Sequence, residues 1–142
     1  MKILVVGSGA REHTITWKIA QNPKVKELYA APGNAGMAKI ARIVDIKAED
    51  NDGLLKFAHD NQIDLTVIGS EQPLANGIVD LFQKNGLAVF GPTRKAAEIE
   101  WSKAFSGDLM RRHGIPGAAS PAFDKFEVAR EYIRQQKPPY VI

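Results

Sequence analysis

Three short stretches of this 142-residue chain combine residue types and spacing that can do chemistry. The first is Gly7-Ser8-Gly9-Ala10-Arg11-Glu12-His13. Its glycines allow a close backbone approach, and free N–H groups at a helix start can hold an anion such as phosphate. The second is Ala31-Pro32-Gly33-Asn34-Ala35-Gly36, where two glycines flank an asparagine whose amides and carboxamide can face a ligand. The third is Gly69-Ser70-Glu71-Gln72-Pro73-Leu74, in which Glu71 can accept hydrogen bonds from hydroxyls or an amine. Taken alone, the first stretch has a plain βα turn as its alternative, the second reads better as a surface turn, and Glu71 has the alternative of an acid favoured by a helix dipole. Three such loops from adjacent strands can converge on one crevice, so the set says more than any member.

Several other chemistries find no support. As a dinucleotide fingerprint the first loop is defective. A G-x-G-x-x-G motif wants a small residue where Glu12 stands, and strand two ends in Leu28-Tyr29-Ala30-Ala31 without the acidic residue that grips a ribose. NAD binding therefore stays open only as a competing reading. Cysteine is absent, which removes disulfides, thiolate nucleophiles and cysteine-bound zinc. His13, His59 and His113 lie far apart without metal-ligand spacing, and no metal site is expected. His59 and His113 read as surface residues, whereas His13 beside the glycine loop reads as a binding residue or a structural hydrogen-bond partner. Glu49-Asp50-Asp52 reads as a solvated helix start. No serine sits in a G-x-S-x-G turn and no Walker A lysine is present, so a nucleophilic hydrolase is not indicated.

The elements that must position these loops follow from apolar patterning. Ile3–Val6 and Asp64–Ile68 read as buried strands, with Leu28–Ala31, Arg42–Ile46 and Ala88–Phe90 as three more. Between them lie amphipathic stretches predicted as helices over 11–21, 51–61 and 73–84, the last with Pro73 near its first turn. Strand and helix in alternation predict an α/β fold, a doubly wound parallel sheet covered by helices. The loops then fall at the carboxyl ends of the strands, where such sheets bind ligands. Beyond Gly91-Pro92 the pattern changes. A short helix over 93–97, a longer one from Trp101 or Ser102 to His113 and another over 126–136 are expected, followed by a strand beginning at Tyr140-Val141-Ile142.

Composition limits the partners. Hydrophobic residues make up 44% and charged residues 25%, a globular balance. The net charge is +3, from 19 Lys and Arg against 16 Asp and Glu, with the signs interspersed, so no nucleic-acid footprint is read. No stretch approaches the roughly 20 apolar residues of a membrane span, and the start lacks the apolar stretch of about 7–15 residues of a signal peptide. A cytoplasmic protein with no membrane partner is the resulting expectation.

Taken in order with Gly91-Pro92-Thr93-Arg94-Lys95-Ala96-Ala97, Ser102-Lys103-Ala104-Phe105 and Arg112-His113-Gly114-Ile115-Pro116, the three loops closely resemble the N-terminal region of the glycinamide ribonucleotide synthetase (phosphoribosylamine–glycine ligase) family, across essentially the whole chain. The resemblance implies a purine-biosynthesis ligase of the ATP-grasp superfamily. Such enzymes join glycine to 5-phosphoribosylamine with ATP and Mg²⁺ (or Mn²⁺), through a glycyl phosphate intermediate. It further implies a Rossmann-like, pre-ATP-grasp substrate-binding domain over 1–100, and a linker helix with a truncated start of the ATP-grasp region over 101–142. On this reading Gly9, Arg11, Glu12 and His13, then Gly33, Asn34, Ala35 and Gly36, then Ser70 and Glu71 bind substrate. Lys103 reaches the nucleotide phosphates, or else is a solvated helix lysine. Catalytic residues and metal ligands would belong to the rest of the enzyme. A fragment of this extent is expected to be inactive alone and to hold no cofactor tightly. Residues 114–142 are expected to be the most mobile part, and the open edge at Tyr140–Ile142 to pair with another copy or stay disordered. The chain departs from the family pattern at Ser70, where proline is usual, at Gly107, where lysine is usual, and at Trp101, where a small residue is usual.

Overall fold

Alternation along the first strand accounts for the layered architecture. In the computed structural model, which describes residues 1–118 and 121–139, β1 (Lys2–Gly7) is buried from Ile3 to Gly7. Side chains alternate sides along a strand. Leu4 and Val6 therefore enter one apolar cluster, with Tyr29, Leu54, Ile78 and Phe82, while Ile3 and Val5 enter the other, with Leu28, Ala30 and Met37. A strand apolar on both faces demands cover on both, and that is the physical signature of a central parallel strand.

The remaining elements are α1 (Ala10–Ala20), β2 (Glu27–Pro32), a 3₁₀ turn at Met37–Lys39, β3 (Arg42–Ile43), α2 (Asn51–Asp60), β4 (Leu65–Ile68), α3 (Glu71–Ala75), α4 (Ile78–Lys84), β5 (Val89–Phe90) and α5 (Arg94–Trp101). The strands form one five-stranded parallel sheet in the order β3-β2-β1-β4-β5. Ile3 pairs with both Leu28 and Leu65, so β1 lies at the middle. Helix α1 covers one face through Ile15 and Ile19, and α2 and α4 cover the other. The predicted doubly wound α/β sheet is the observed one.

Local chemistry sets the boundaries. Asp50 caps α2, its Oδ1 accepting the Gly53 N–H at 2.9 Å. The strand predicted over 42–46 pairs only at Arg42–Ile43. Val44 still donates to the Ala30 carbonyl, but Ile46 N–H then turns back to the Val44 carbonyl and takes the chain off the sheet. The helix predicted over 73–84 is two helices. Asn76 N–H closes α3 on the Gln72 carbonyl, and Gly77 at φ +81° starts α4 in a left-handed conformation that few side chains adopt. The helix predicted over 93–97 extends to Trp101.

The chain divides into two compact units, Met1–Trp101 and one beginning at Ser102. The second holds α6 (Lys103–Arg112) and α7 (Phe126–Arg134). Ser102 Oγ caps α6 by accepting the Phe105 N–H at 3.3 Å, and Asp108 pairs with Arg111 and Arg112 on its surface. Those two guanidiniums, Arg112 first, hold the Asp108 carboxyl below its usual range. Phe123 and Tyr132 are in ring contact beside a hollow of about 660 Å³. The strand expected at Tyr140–Ile142 lies outside the described residues. Among those described, no helix is long and apolar enough to cross a membrane.

Candidate functional site

The order β2-β1-β4 places the three loops side by side, because each leaves the carboxyl end of one of these strands. Chain connections diverge at β1, with α1 leading to β2 on one side and β4 lying on the other. That is the switch point at which parallel sheets open a crevice. Here it is an open groove of about 540 Å³, lined by Gly9–Glu12 on one bank and Gly69–Gln72 on the other.

The helix start is arranged for an anion. Gly9 is the N-cap of α1 and carries no side chain to cap it, and the first intrahelical bond runs from His13 N–H to the Gly9 carbonyl at 3.0 Å. The N–H groups of Ala10, Arg11 and Glu12 precede that bond and have no partner within the helix. Arg11 reaches across the groove. Its guanidinium donates to the Gly69 carbonyl at 3.2 Å and stands 3.7 Å from Glu71 Oε1. Both side chains of that pair are more than half exposed, so the attraction adds little to stability and leaves both groups available. Glu71 opens α3, with Ser70 as its N-cap.

Other expected site residues face inward. Glu12 is only 5% exposed. Its Oε2 accepts the Gly9 N–H at 2.7 Å, so that amide is already engaged by the chain's own carboxylate. The engagement leaves the loop one fewer free amide for a ligand. Asn34 ties two loops together. Its Nδ2 donates to the Ser8 carbonyl at 2.8 Å, and its Oδ1 accepts from Gly36 N–H at 2.9 Å and Met37 N–H at 3.0 Å. Gly36 is pressed against the imidazole of His13, where an added Cβ would stand 2.8 Å from Nδ1. Gly33 takes φ +66° just after β2, and Ala35 is exposed. The second loop thus braces the first and does not line the groove itself. Lys103 lies in the second unit as the first residue of α6, and is exposed.

Ala10 and Gln72 line the groove without having been singled out in the sequence, since neither type carries a chemical signature. Gly69 matters as a space into which Glu12 fits, because its added Cβ would lie 2.6 Å from Glu12 Oε1. The inward turn of Glu12 does have a signal, the Gly9-x-x-Glu12 spacing, in which an N3 glutamate reaches back to the cap amide.

A five-stranded parallel sheet with an open groove at its switch point defines a Rossmann-like domain. Comparison with known proteins makes the class particular. Residues 1–100 match the family model described as phosphoribosylglycinamide synthetase, N domain, and the chain belongs to that family. It is 49% identical over 142 residues to a phosphoribosylamine–glycine ligase of Halalkalibacterium halodurans, covering all of this chain and 33% of that protein. The chain thus spans about a third of the length of the curated relatives it matches. A crystal structure of phosphoribosylamine–glycine ligase from Thermotoga maritima superposes with a TM-score of 0.70 at 28% identity, over 98% of this chain and 32% of that one. The biotin carboxylase domain of a Hydrogenobacter thermophilus 2-oxoglutarate carboxylase, crystallised with MgADP, has the same fold at 18% identity and TM-score 0.70, over 97% of this chain and 33% of that one.

Proposed function

We propose that this chain is the part of an ATP-dependent ligase that holds 5-phosphoribosylamine while glycine is joined to its amine, a step of purine biosynthesis. The observation that carries the reading is the groove between β1 and β4, with unpaired helix-start amides on one bank and Ser70 and Glu71 on the other. The amides of Ala10 and Arg11, with the Arg11 guanidinium, take the phosphate monoester. The Glu71 carboxylate and Ser70 hydroxyl, across the groove, accept from the sugar hydroxyls or the amine. Glu12, His13, Asn34 and the Gly33–Gly36 loop support that geometry from behind.

ATP supplies the activation of the glycine carboxylate in this reaction. Lys103, exposed at the start of α6, is the residue of this chain proposed to reach its phosphates. Among the described residues no three His, Asp or Glu side chains stand together as a metal site. Mg²⁺ is accordingly assigned no ligand here, and nucleotide and metal are proposed to be held by the larger part of the enzyme.

Ribose 5-phosphate is a stable probe. Titrated into ¹⁵N-labelled chain, it is expected to move the amide resonances of Ala10, Arg11, Ser70 and Glu71 at saturable concentrations. Movement confined to other residues would refute the site, and tight saturable NADH binding would favour the dinucleotide reading. Supplied with glycine, ATP, Mg²⁺ and phosphoribosylamine, the 142-residue chain is expected to give no ligation. Turnover would overturn the assignment of nucleotide and metal to the rest of the enzyme.

A further inference from the structure

Glu12 has an environment unlike that of any other acid in the chain. It is the one buried carboxylate among the described residues, and its side chain is enclosed by glycines from two different loops. An added Cβ on Gly7 would stand 2.5 Å from Glu12 Cγ, one on Gly9 2.8 Å from Oε2, and one on Gly69 2.5 Å from Cγ and 2.6 Å from Oε1. Real Cβ atoms do not approach so closely, so a side chain at any of the three positions would force Glu12 to shift, and one at Gly7 would also meet Ser70 Oγ. Gly7 and Gly9 belong to the bank that offers helix-start amides, and Gly69 begins the bank that carries Ser70 and Glu71. The backbone of helix α1 holds Glu12 at one end, and the Gly9 N–H fixes its carboxylate at the other.

We infer that Glu12 is a positioning residue for the substrate groove, a spacer whose length holds the Gly7–Gly9 and Gly69–Glu71 loops apart beyond the point where Gly69 N–H, donating to the Val6 carbonyl at 3.1 Å, joins the two strands. The inference rests on the proposed substrate reading for its functional consequence, and on geometry alone for the spacing itself. The distance between the two banks decides whether one phosphosugar can meet Arg11 and Glu71 together. A misplacement of about 1 Å between groups that act on one ligand is enough to cost on the order of a hundredfold. What the spacer must supply is length and an acceptor for Gly9 N–H. Glutamine has both, whereas aspartate is one methylene short.

The test compares Glu12→Gln with Glu12→Asp in the 142-residue chain by two readouts. The first is amide hydrogen exchange without ligand, read at Gly9 and Gly69, with Leu54 and Phe82 in the core as controls for the fold. Glu12→Asp is expected to speed exchange at least tenfold at both glycines and to leave the controls unchanged. Glu12→Gln should stay within about threefold of wild type at all four. The second is affinity for ribose 5-phosphate, which should fall tenfold or more in Glu12→Asp and by no more than about threefold in Glu12→Gln. Should aspartate leave Gly69 as protected as in the wild type, the spacer role is overturned, whatever the binding result. Equal losses of affinity in both variants would also overturn it, since they would show that the charge itself serves the ligand. If ribose 5-phosphate fails to bind even the wild type while the exchange ranking holds, the substrate reading fails and the spacer stands.

Discussion

Replacing Asn34 separates two roles that the second loop can play. If its carboxamide faced a ligand, Asn34→Ala would leave stability untouched and abolish binding. The structure instead has the side chain making three hydrogen bonds between 2.8 and 3.0 Å within the protein. The bonds from Gly36 and Met37 are partly buried and contribute about 1–1.5 kcal/mol each, whereas the exposed one to Ser8 can be replaced by water and adds about 0.5 kcal/mol. Asn34→Ala should then cost about 2.5–3.5 kcal/mol. For a unit of this size that lowers Tm by about 10–28 °C. Asn34→Asp keeps the acceptor and loses only the donor to Ser8, so it should cost about 1 kcal/mol or less. Both tryptophans, Trp17 and Trp101, lie in the first unit, so urea unfolding followed by their fluorescence reads its stability directly. A loss below about 0.5 kcal/mol in Asn34→Ala, or equal losses in the two variants, would refute the bracing role.

Gly36→Ala drives a methyl into the His13 ring and is expected to cost about 1–2 kcal/mol, most of it recovered when His13→Ala is added. A double-mutant cycle with no coupling would count against that contact. Phe82, fully buried under the sheet, should cost about 3–5 kcal/mol as Phe82→Ala, measured by the same urea titration. Tyr29 donates to Glu27 at 2.6 Å, a bond that raises the phenol pKa above its ordinary value and is the first cause of the lowered Glu27 carboxyl. The Tyr29 contribution to stability is therefore complete below the ordinary phenol range and is lost as pH rises through the raised value. That of Glu27 is present above the ordinary carboxyl range and is lost as pH falls through the lowered one. Absorbance at 295 nm should show the Tyr29 phenol ionising at lower pH in Glu27→Gln than in the unaltered chain. A tyrosine titration left unchanged by Glu27→Gln would contradict the bond.

Much of the first unit was legible because its signals are strong and local. Ile3–Val6 and Leu65–Ile68 are short apolar runs that must be covered on both faces, and their ends at Gly7 and Gly69 place the ligand loops without further assumption. The break at Asn76-Gly77 was missed because apolar spacing from Ile78 to Phe82 reads smoothly back to Pro73, whereas one left-handed glycine is enough to redirect the chain. The shortness of β3 depends on a turn formed by Val44 and Ile46, which carry strand-forming side chains. At the site, residue types announced the loops but not the directions of side chains. Asn34 can face a ligand or the Ser8 carbonyl, and only the neighbouring loop decides between them. Glu12, read from the sequence as a substrate-binding residue, turns inward to Gly9 N–H instead, a turn for which its spacing from Gly9 is the signal.

The central place of β1 also governs how the chain reaches this structure. Its partners come from distant sequence, Leu28 on one side and Leu65 on the other, and no hairpin brings either of them close. Parallel pairing of this kind has no local nucleus, and loop closure must be endured before any ladder bond rewards it. Ile3–Val6, apolar on both faces, keeps one edge unpaired until Leu65–Ile68 are available to pair with it. The most buried strand of the native sheet is therefore the most adhesive segment of the folding chain, and it is where misassembly between copies would begin.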